Sequence, residues 1–187
     1  MGEVIEIETE RLILRQWRED DKNLFAKLNA DPKVMQYYPD VLSAEQSNEL
    51  ASKCLDLVAK NGWGFWALET ISDNRFIGFT GLNQPDYELP VDSCVEIGWR
   101  LSSDVWGHGF ATEAAKACLN FAFENLVLDE VYAFSSVANQ RSRAVMERLH
   151  MINLNTNFNH PLLAGHDELQ EHVLYKIELQ QWRDVKQ

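Results

Sequence analysis

Val105–Ala115 reads VWGHGFATEAA, two glycines one residue apart that run directly into a strongly helical sequence. Gly107 and Gly109 let the backbone turn sharply and come close to a ligand. The Ala-rich helix that follows points its first, unpaired N–H groups back at that turn, where a pyrophosphate would find donors and a favourable dipole. Upstream, Cys94–Leu101 (CVEIGWRL) is a β-rich run, so the order is strand, short loop through Ser102, Ser103 and Asp104, glycine turn, helix. A dinucleotide fingerprint would need a third small residue at 112 and an acid closing the next strand, and Thr112 and its successors supply neither. No Gly-Lys-Ser/Thr occurs in the chain, which excludes a Walker loop. On these residues alone the turn is either an anion site or a turn that binds nothing.

Working outward, Arg11–Arg15 reads as a first strand, and Asp20 or Asp21 can cap a short helix carrying Leu24, Phe25 and Leu28 on one face. Asp31-Pro32 starts a second helical turn, and Ser43-Ala44-Glu45-Gln46 is a capping box for a long helix that Asn61-Gly62 stops. Strands follow over 63–69 and 76–82, joined by the turn Ser72-Asp73-Asn74, and the strand 95–101 pairs back on them after the Pro85–Pro90 loop. Beyond the glycine turn come a helix over 112–125, a strand over 130–137, a helix from Asn139 carrying Ser142, Val145, Met146 and Leu149, and strands over 153–158 and 171–179. The segment 95–137 is a βαβ unit. The expectation is an α/β (α+β) fold with one mixed, mostly antiparallel sheet of about seven strands, a parallel pair at its centre, and helices on both faces.

With 187 residues and 45% hydrophobic content the chain suits a single domain, 1–187, with its core over about 9–179. Seventeen basic against 29 acidic residues give a net charge of −12, which argues against a nucleic-acid groove and either suits a cationic substrate or serves solubility. Cys54, Cys94 and Cys118 are widely spaced and read as buried reduced thiols. No apolar run approaches the roughly 18 residues of a membrane span, and the acidic start is unlike a signal peptide, so the expected location is cytoplasmic. His160, His166 and His172 are evenly spaced, but neither helix nor strand geometry makes that spacing a ligand set, so no metal is expected. The sequence does not fix oligomeric state, and monomer or homodimer is the default.

At this point the residues resemble the GNAT superfamily of acyl-CoA N-acyltransferases, in its RimJ/RimL-like branch. VEIGWRLSSDVWGHGFATEAA is similar to the family's central strand and pyrophosphate loop, and VANQRSRAVMERLHM to its next conserved segment. ETERLILRQWREDD, FNHPLL and HVLYKI are similar to the ends of many members. The resemblance implies the GNAT fold, whose parallel pair is splayed, and transfer of an acetyl group from acetyl-CoA to an amine in a ternary complex. It implies that main-chain N–H groups from Gly107, His108, Gly109, Phe110, Ala111 and Thr112 hold the pyrophosphate. It also implies that the strand at Trp99, Arg100 and Leu101 pairs with the pantetheine amides, and that Asn139 bonds the same arm from across the crevice. Trp106 stands where the loop often has Gln or Arg. Met146 stands where many members have a Tyr that protonates the leaving thiolate. His150-Met151 replaces the usual Gly-Phe, so the helix must end without a glycine.

An ordinary amine is about one part in a thousand unprotonated at pH 7, so some group must take its proton before attack on a thioester. Glu96, on the strand just before the expected contacts, is the candidate, directly or through water; the alternative is a strand residue that is either solvated or salt-bridged, with Arg100 as partner. A strand amide near Ile97–Trp99 would face the oxyanion. For the leaving thiolate the candidates are Ser142 and then Tyr175, whose other readings are a first-turn hydroxyl bonding backbone and a core aromatic. His108 either touches a phosphate or faces solvent. The acceptor is a small-molecule amine or a peptide N-terminus, its pocket shaped by the loops 30–48, 85–92 and 160–170. Two other functions fit: a catalytically silent CoA-binding protein of the same fold, and a protein using the glycine turn for another nucleotide.

Overall fold

The computed structural model describes residues 4–185; residues 1–3 and 186–187 of the expected single unit lie outside the described residues. Strands β1 (Ile7–Glu8) and β2 (Leu12–Arg15) precede helices α1 (Asp21–Asn29) and α2 (Ala44–Asn61). Then come β3 (Phe65–Thr70), β4 (Phe76–Asn83), β5 (Glu96–Leu101), α3 (Phe110–Glu124), β6 (Glu130–Ser136) and α4 (Gln140–Arg148). The chain closes with β7 (Ile152–Asn153), β8 (Phe158–Asn159), α5 (Asp167–Gln170), β9 (Glu171–Glu178) and α6 (Leu179–Val185). Among the described residues the strands form one nine-stranded sheet in the order β1-β2-β3-β4-β5-β6-β9-β7, with β8 also on β9. β5 and β6 run parallel and the other neighbours antiparallel.

The mixed sheet with a central parallel pair is the architecture expected, with two strands more than the seven anticipated. β1 and the pieces β7 and β8 are two residues each, too short for an alternating pattern to register. The single strand expected over 153–158 is split because Asn155 sits at φ 55°, outside strand geometry. The helical turn expected at Asp31 is an irregular series of turns instead, in which Asp31 accepts the N–H of Lys33. The capping box on α2 is present in both directions, and Gly62 ends the helix at φ 81°. α4 ends with His150 itself in the left-handed region at φ 59°, and Met151 N–H reaches back to the Met146 carbonyl, so no glycine is used.

Alternation along the strands divides the sheet into two faces. Val131, Ala133, Val173, Tyr175 and Ile177 belong to the large core under α3, α4 and α6, with Cys118, Leu119 and Ala122 from α3. α1 and α2 cover the other face, where Trp17, Phe25, Cys54 and Phe79 pack together. The three cysteines are buried and free, and burial pushes the Cys54 thiol up to about 12. No helix among the described residues is long and apolar enough to cross a membrane.

A buried ion network ties β2 and β3 to the start of α1. Arg15, 2% exposed, donates to both oxygens of Asp21 at 2.7 and 2.8 Å and to Glu69 at 2.8 Å. Burial would lower the guanidinium pKa, but the hydrogen bonds to Asp21 and Glu69 outweigh it and the net shift is upward. Asp21 therefore serves the ion pair and the Arg18 N–H, and neither Asp20 nor Asp21 acts as the expected side-chain cap of α1. Removing one partner of such a network strands the others. Arg15→Met is expected to lower the unfolding free energy by about 3–5 kcal/mol, read by urea denaturation; a loss below about 1 kcal/mol would mean the network is no stronger than a surface pair.

Candidate active site

β5 and β6 pair at one position, Glu96 with Tyr132, with the Tyr132 N–H on the Val95 carbonyl at 2.9 Å. Past that point they separate. β4 holds the outer edge of β5 along its whole length, and β9 holds β6, so the inner edges of both strands are left facing a gap. That gap opens into a cleft of about 890 Å³. Its walls come from the end of β5 (Trp99, Arg100, Leu101), the glycine turn with the first turn of α3, and the first turns of α4 at Asn139 and Ser142. Tyr37 and Tyr38, from the loop between α1 and α2, close a third side.

The glycine turn is built as its sequence requires: Gly107 and Gly109 lie at φ 84° and 82°. Gly109 caps α3 without any side-chain acceptor. Among the described residues, no carbonyl or side chain accepts from the N–H groups of residues 107–112; the first ladder bond of α3 runs from Glu113 to Gly109. Such a cluster of unpaired N–H groups at a helix start has the donors and the dipole that suit an anion. Arg11, which nothing in the linear pattern marks out, braces it: it donates to Glu113 at 2.7 Å and to the His108 carbonyl at 2.9 Å, and lies 4.6 Å over the Phe110 ring. Burial would raise the Glu113 carboxyl, but bonds from Thr9 and Arg11 outweigh it and hold it below its usual range. Trp106 turns back on its own strand, its indole N–H on the Leu101 carbonyl at 3.0 Å, with Arg141 4.6 Å above the ring.

Lys116, Arg141 and Arg148 also line the cleft. In a chain of net charge −12 this gathers cations beside the free N–H groups. Their spacing over two helices kept them from standing out as a patch in the sequence.

The expected site residues divide into two groups. Trp99, Arg100, Leu101, Gly107, Gly109, Phe110, Ala111, Thr112, Asn139 and Ser142 line the one cleft, whereas Glu96, His108 and Tyr175 do not. The Asn139 side chain caps α4, accepting the Ser142 N–H at 3.1 Å and donating to the Ser142 hydroxyl at 3.1 Å. That leaves the hydroxyl proton of Ser142 free to be donated. His108 is exposed and stacks on Phe110 at 6.0 Å. Tyr175 is 2% exposed on the face under α3 and α4, with its hydroxyl 3.4 Å from Glu147 of α4. Met146 is fully buried in the same core.

Glu96 lies at the fork itself, on the face covered by α1 and α2, 9% exposed, and accepts one bond from the Asn83 amide at 2.8 Å. Among the described residues no cation pairs with it; Arg100 points elsewhere, to Asn29. Burial pushes its carboxyl from the ordinary 4.5 up to about 7, against the Asn83 bond, which lowers it. Beside it, Tyr87 is held above the usual phenol range by burial and by the Glu96 charge. Tyr87 also leads into a ring cluster: His160 lies 5.0 Å from Tyr87 and 5.0 Å from His172, with Phe134 and Phe158 around them. Burial lowers the His160 pKa to about 4, helped by His172, so the imidazole is neutral at pH 7. His166 is exposed, and among the described residues no group of three or more His, Cys, Asp or Glu is placed to hold a metal.

The comparisons with known proteins follow this geometry. The sequence model described as an acetyltransferase (GNAT) domain matches residues 11–152. The chain is 29% identical over 144 residues to YkkB of Bacillus subtilis (strain 168), covering 76% of this chain and 83% of that one. It is 27% identical over 183 residues to the FsC-acetyl coenzyme A-N(2)-transacetylase of Aspergillus fumigatus, covering 94% and 77%. In fold it is similar to a GNAT acetyltransferase of Bacillus anthracis, with a TM-score of 0.78 at 24% identity over 94% of this chain and 99% of that one.

A carboxyl with a raised folded pKa favours the folded state fully below its unfolded value and loses that contribution as pH climbs through the folded value. Wild type and Glu96→Gln are therefore expected to melt alike near pH 4.5. By pH 8 the variant gains roughly 3 kcal/mol, at about 1.4 kcal/mol per pKa unit. Thermal melts across pH 4–8 read this directly, and a constant difference between the two proteins would show that Glu96 is not desolvated.

Proposed function

This chain belongs to the acetyltransferase (GNAT) domain family, and from that premise we propose that it transfers an acetyl group from acetyl-CoA to a primary amine, of a small molecule or a protein N-terminus, by direct attack in a ternary complex. We place it in the RimJ/RimL-like branch on its strand-and-loop segment VEIGWRLSSDVWGHGFATEAA. The single observation that carries the reading is the row of N–H groups from 107 to 112 with no partner among the described residues, facing a cleft that continues between two parted strands. Those donors fit a diphosphate, Lys116, Arg141 and Arg148 supply charge for further phosphate, and the edge of β5 that faces the gap at 99–101, apart from the Leu101 carbonyl held by Trp106, fits the amides of an extended arm.

Acetyl-CoA, when bound, supplies an acyl group activated as a thioester. The chain's part is to strip a proton from the acceptor, hold the developing charge and return a proton to sulfur. Glu96, with its carboxyl near 7, is half ionised at neutral pH and takes the ammonium proton directly or through one water. A main-chain N–H between Ile97 and Trp99 faces the oxygen that gains charge as the C–N bond forms; one such donor is worth roughly 3–4 kcal/mol. As the C–S bond breaks, Ser142, whose hydroxyl accepts from Asn139 and so keeps its own proton free, donates to the departing sulfur. Tyr175 is the second candidate for that step. Its place under α4 with Met146, away from the cleft lining, also supports the other reading, a CoA-binding protein that no longer catalyses.

Acetyl-CoA at one hundred times its Kd is expected to stabilise the protein by about 2.7 kcal/mol, with no shift from adenine dinucleotides. Release of free CoA over a broad amine panel then separates enzyme from silent binder. In the enzyme, kcat/KM rises with pH through about 7, and Glu96→Gln loses that limb together with roughly 10²–10⁴-fold in rate. An unchanged profile in the variant removes Glu96 from the chemistry.

A further inference from the structure

Arg100 stands apart from the other arginines of this sheet. Arg11 pairs with Glu113, Arg15 with Asp21 and Glu69, and Arg75 with Asp104. Arg100 is partly buried in the cleft wall and has no carboxylate partner among the described residues. Its Nη1 donates to the side-chain oxygen of Asn29 at 2.8 Å, and its Nε is buried without any acceptor. The guanidinium lies 4.2 Å over the Tyr38 ring and 5.5 Å from that of Phe79. These neutral contacts fix its plane and leave its charge uncompensated. A partly buried cation with spare donors is costly unless an anion completes it, and a flat fork of N–H groups matches a carboxylate in particular.

Its direction says which reactant that anion belongs to. Arg100 pairs in register with Phe79, Gly98 with Gly81, and Glu96 with Asn83, so these side chains share the face covered by α1 and α2. The turn of free N–H groups and the three cleft cations belong to α3 and α4, on the other side of the fork. On its own face Arg100 is aligned with Glu96, about 13 Å away along the strand. Gly98 lies between them, and the Phe65 ring packs over it, at 3.1 Å from where a Cβ would stand.

We infer that the acceptor carries a carboxylate besides the amine that is acetylated, and that Arg100, held by Asn29 and stacked on Tyr38, is the specificity-determining residue that receives it. This rests on the acetyl-transfer reading above and narrows its substrate class. The carboxylate comes either from a free amino acid or from an acidic side chain near a peptide N-terminus, and both present the same group to the guanidinium.

Matched acceptors test it: amino acids against their carboxamides in one arm, and peptides with Asp against Asn at the second position in the other. Initial rates of CoA release are read for wild type, Arg100→Gln and Arg100→Lys, alongside the acetyl-CoA Kd by calorimetry and a melt to establish folding. Wild type is expected to prefer the carboxylate by tenfold or more in kcat/KM in one arm, which names the source. Arg100→Gln brings that ratio to within about threefold of unity, Arg100→Lys restores part of it, and the acetyl-CoA Kd stays within about twofold, because only the main chain of this strand faces the arm. A ratio near unity in both arms of wild type, a ratio that survives in Arg100→Gln, or a Kd for acetyl-CoA that rises tenfold with the substitution overturns the assignment. If acetyl-CoA binds and amines without a carboxylate are acetylated as well as those with one, this inference alone falls. If wild type does not bind acetyl-CoA, the transferase reading falls and takes it along.

Discussion

A single register pair, Glu96 with Tyr132, beside the main-chain bond from Tyr132 to Val95, joins the two halves of the sheet before β5 and β6 part. Inside a sheet that parting is expensive, since each strand gives up a row of ladder partners. It persists because each strand is fully paired on its other edge, β5 to β4 over six residues and β6 to β9 over seven. α3 then packs against β5 on one face, and α4 against β6, which sets the helix starts at the mouth of the fork. The free strand edges and the cleft are consequences of that one divergence, and the unpaired N–H groups that any helix start leaves are thereby given an opening to face. A continuous ladder between β5 and β6 would satisfy all the strand edges and abolish the cleft.

Charge is distributed around the fork in a way that the net value hides. The chain is strongly acidic, yet three cations of α3 and α4 line the cleft beside the glycine turn, while the face under α1 and α2 holds, besides the closed Arg15–Asp21–Glu69 network, the buried Glu96 carboxyl and the Arg100 guanidinium, neither with an ion partner among the described residues. Fields from exposed acids fall off within about 10 Å in ordinary salt, so the local arrangement governs what enters. The acidic surface then bears on solubility and encounter with cationic molecules. It does not preclude a diphosphate a few ångströms from unpaired main-chain donors.

Much of this was legible in the sequence because it depends on local spacing. The glycine pair, the capping box at Ser43, the α2 stop at Gly62 and the βαβ order over 95–137 each follow from a few adjacent residues, and each is found. What depends on distant partners was not legible. Asp21 looked like a helix cap, and instead completes the pair with Arg15, because a buried guanidinium outbids a helix terminus for a carboxylate. Arg11 lies 102 residues from Glu113, so its support of the turn has no linear signature. Arg100 was grouped with its neighbours Trp99 and Leu101 as one strand; alternation sends its side chain to the opposite face from theirs. Tyr175 was considered for the chemistry as a buried aromatic with a hydroxyl, and its strand register fixes it beneath α4.

The fork also concentrates the polar atoms that folding alone would not leave unpaired. Arg100 Nε beside the cleft, Ser136 Oγ at the end of β6 and Arg143 Nε on α4 are buried without partners, and each such group costs about 1–3 kcal/mol. Glu96 adds a desolvated carboxyl a few residues away. Elsewhere the same sheet is well satisfied: the Arg15 network is closed, and the core strands are apolar on their inner faces. Random imperfection would scatter unmet hydrogen bonds over the molecule. Here they border the parted strands and α4; of the three only Arg100 lines the cleft, where a ligand can reach it, while Ser136 and Arg143 lie off that lining.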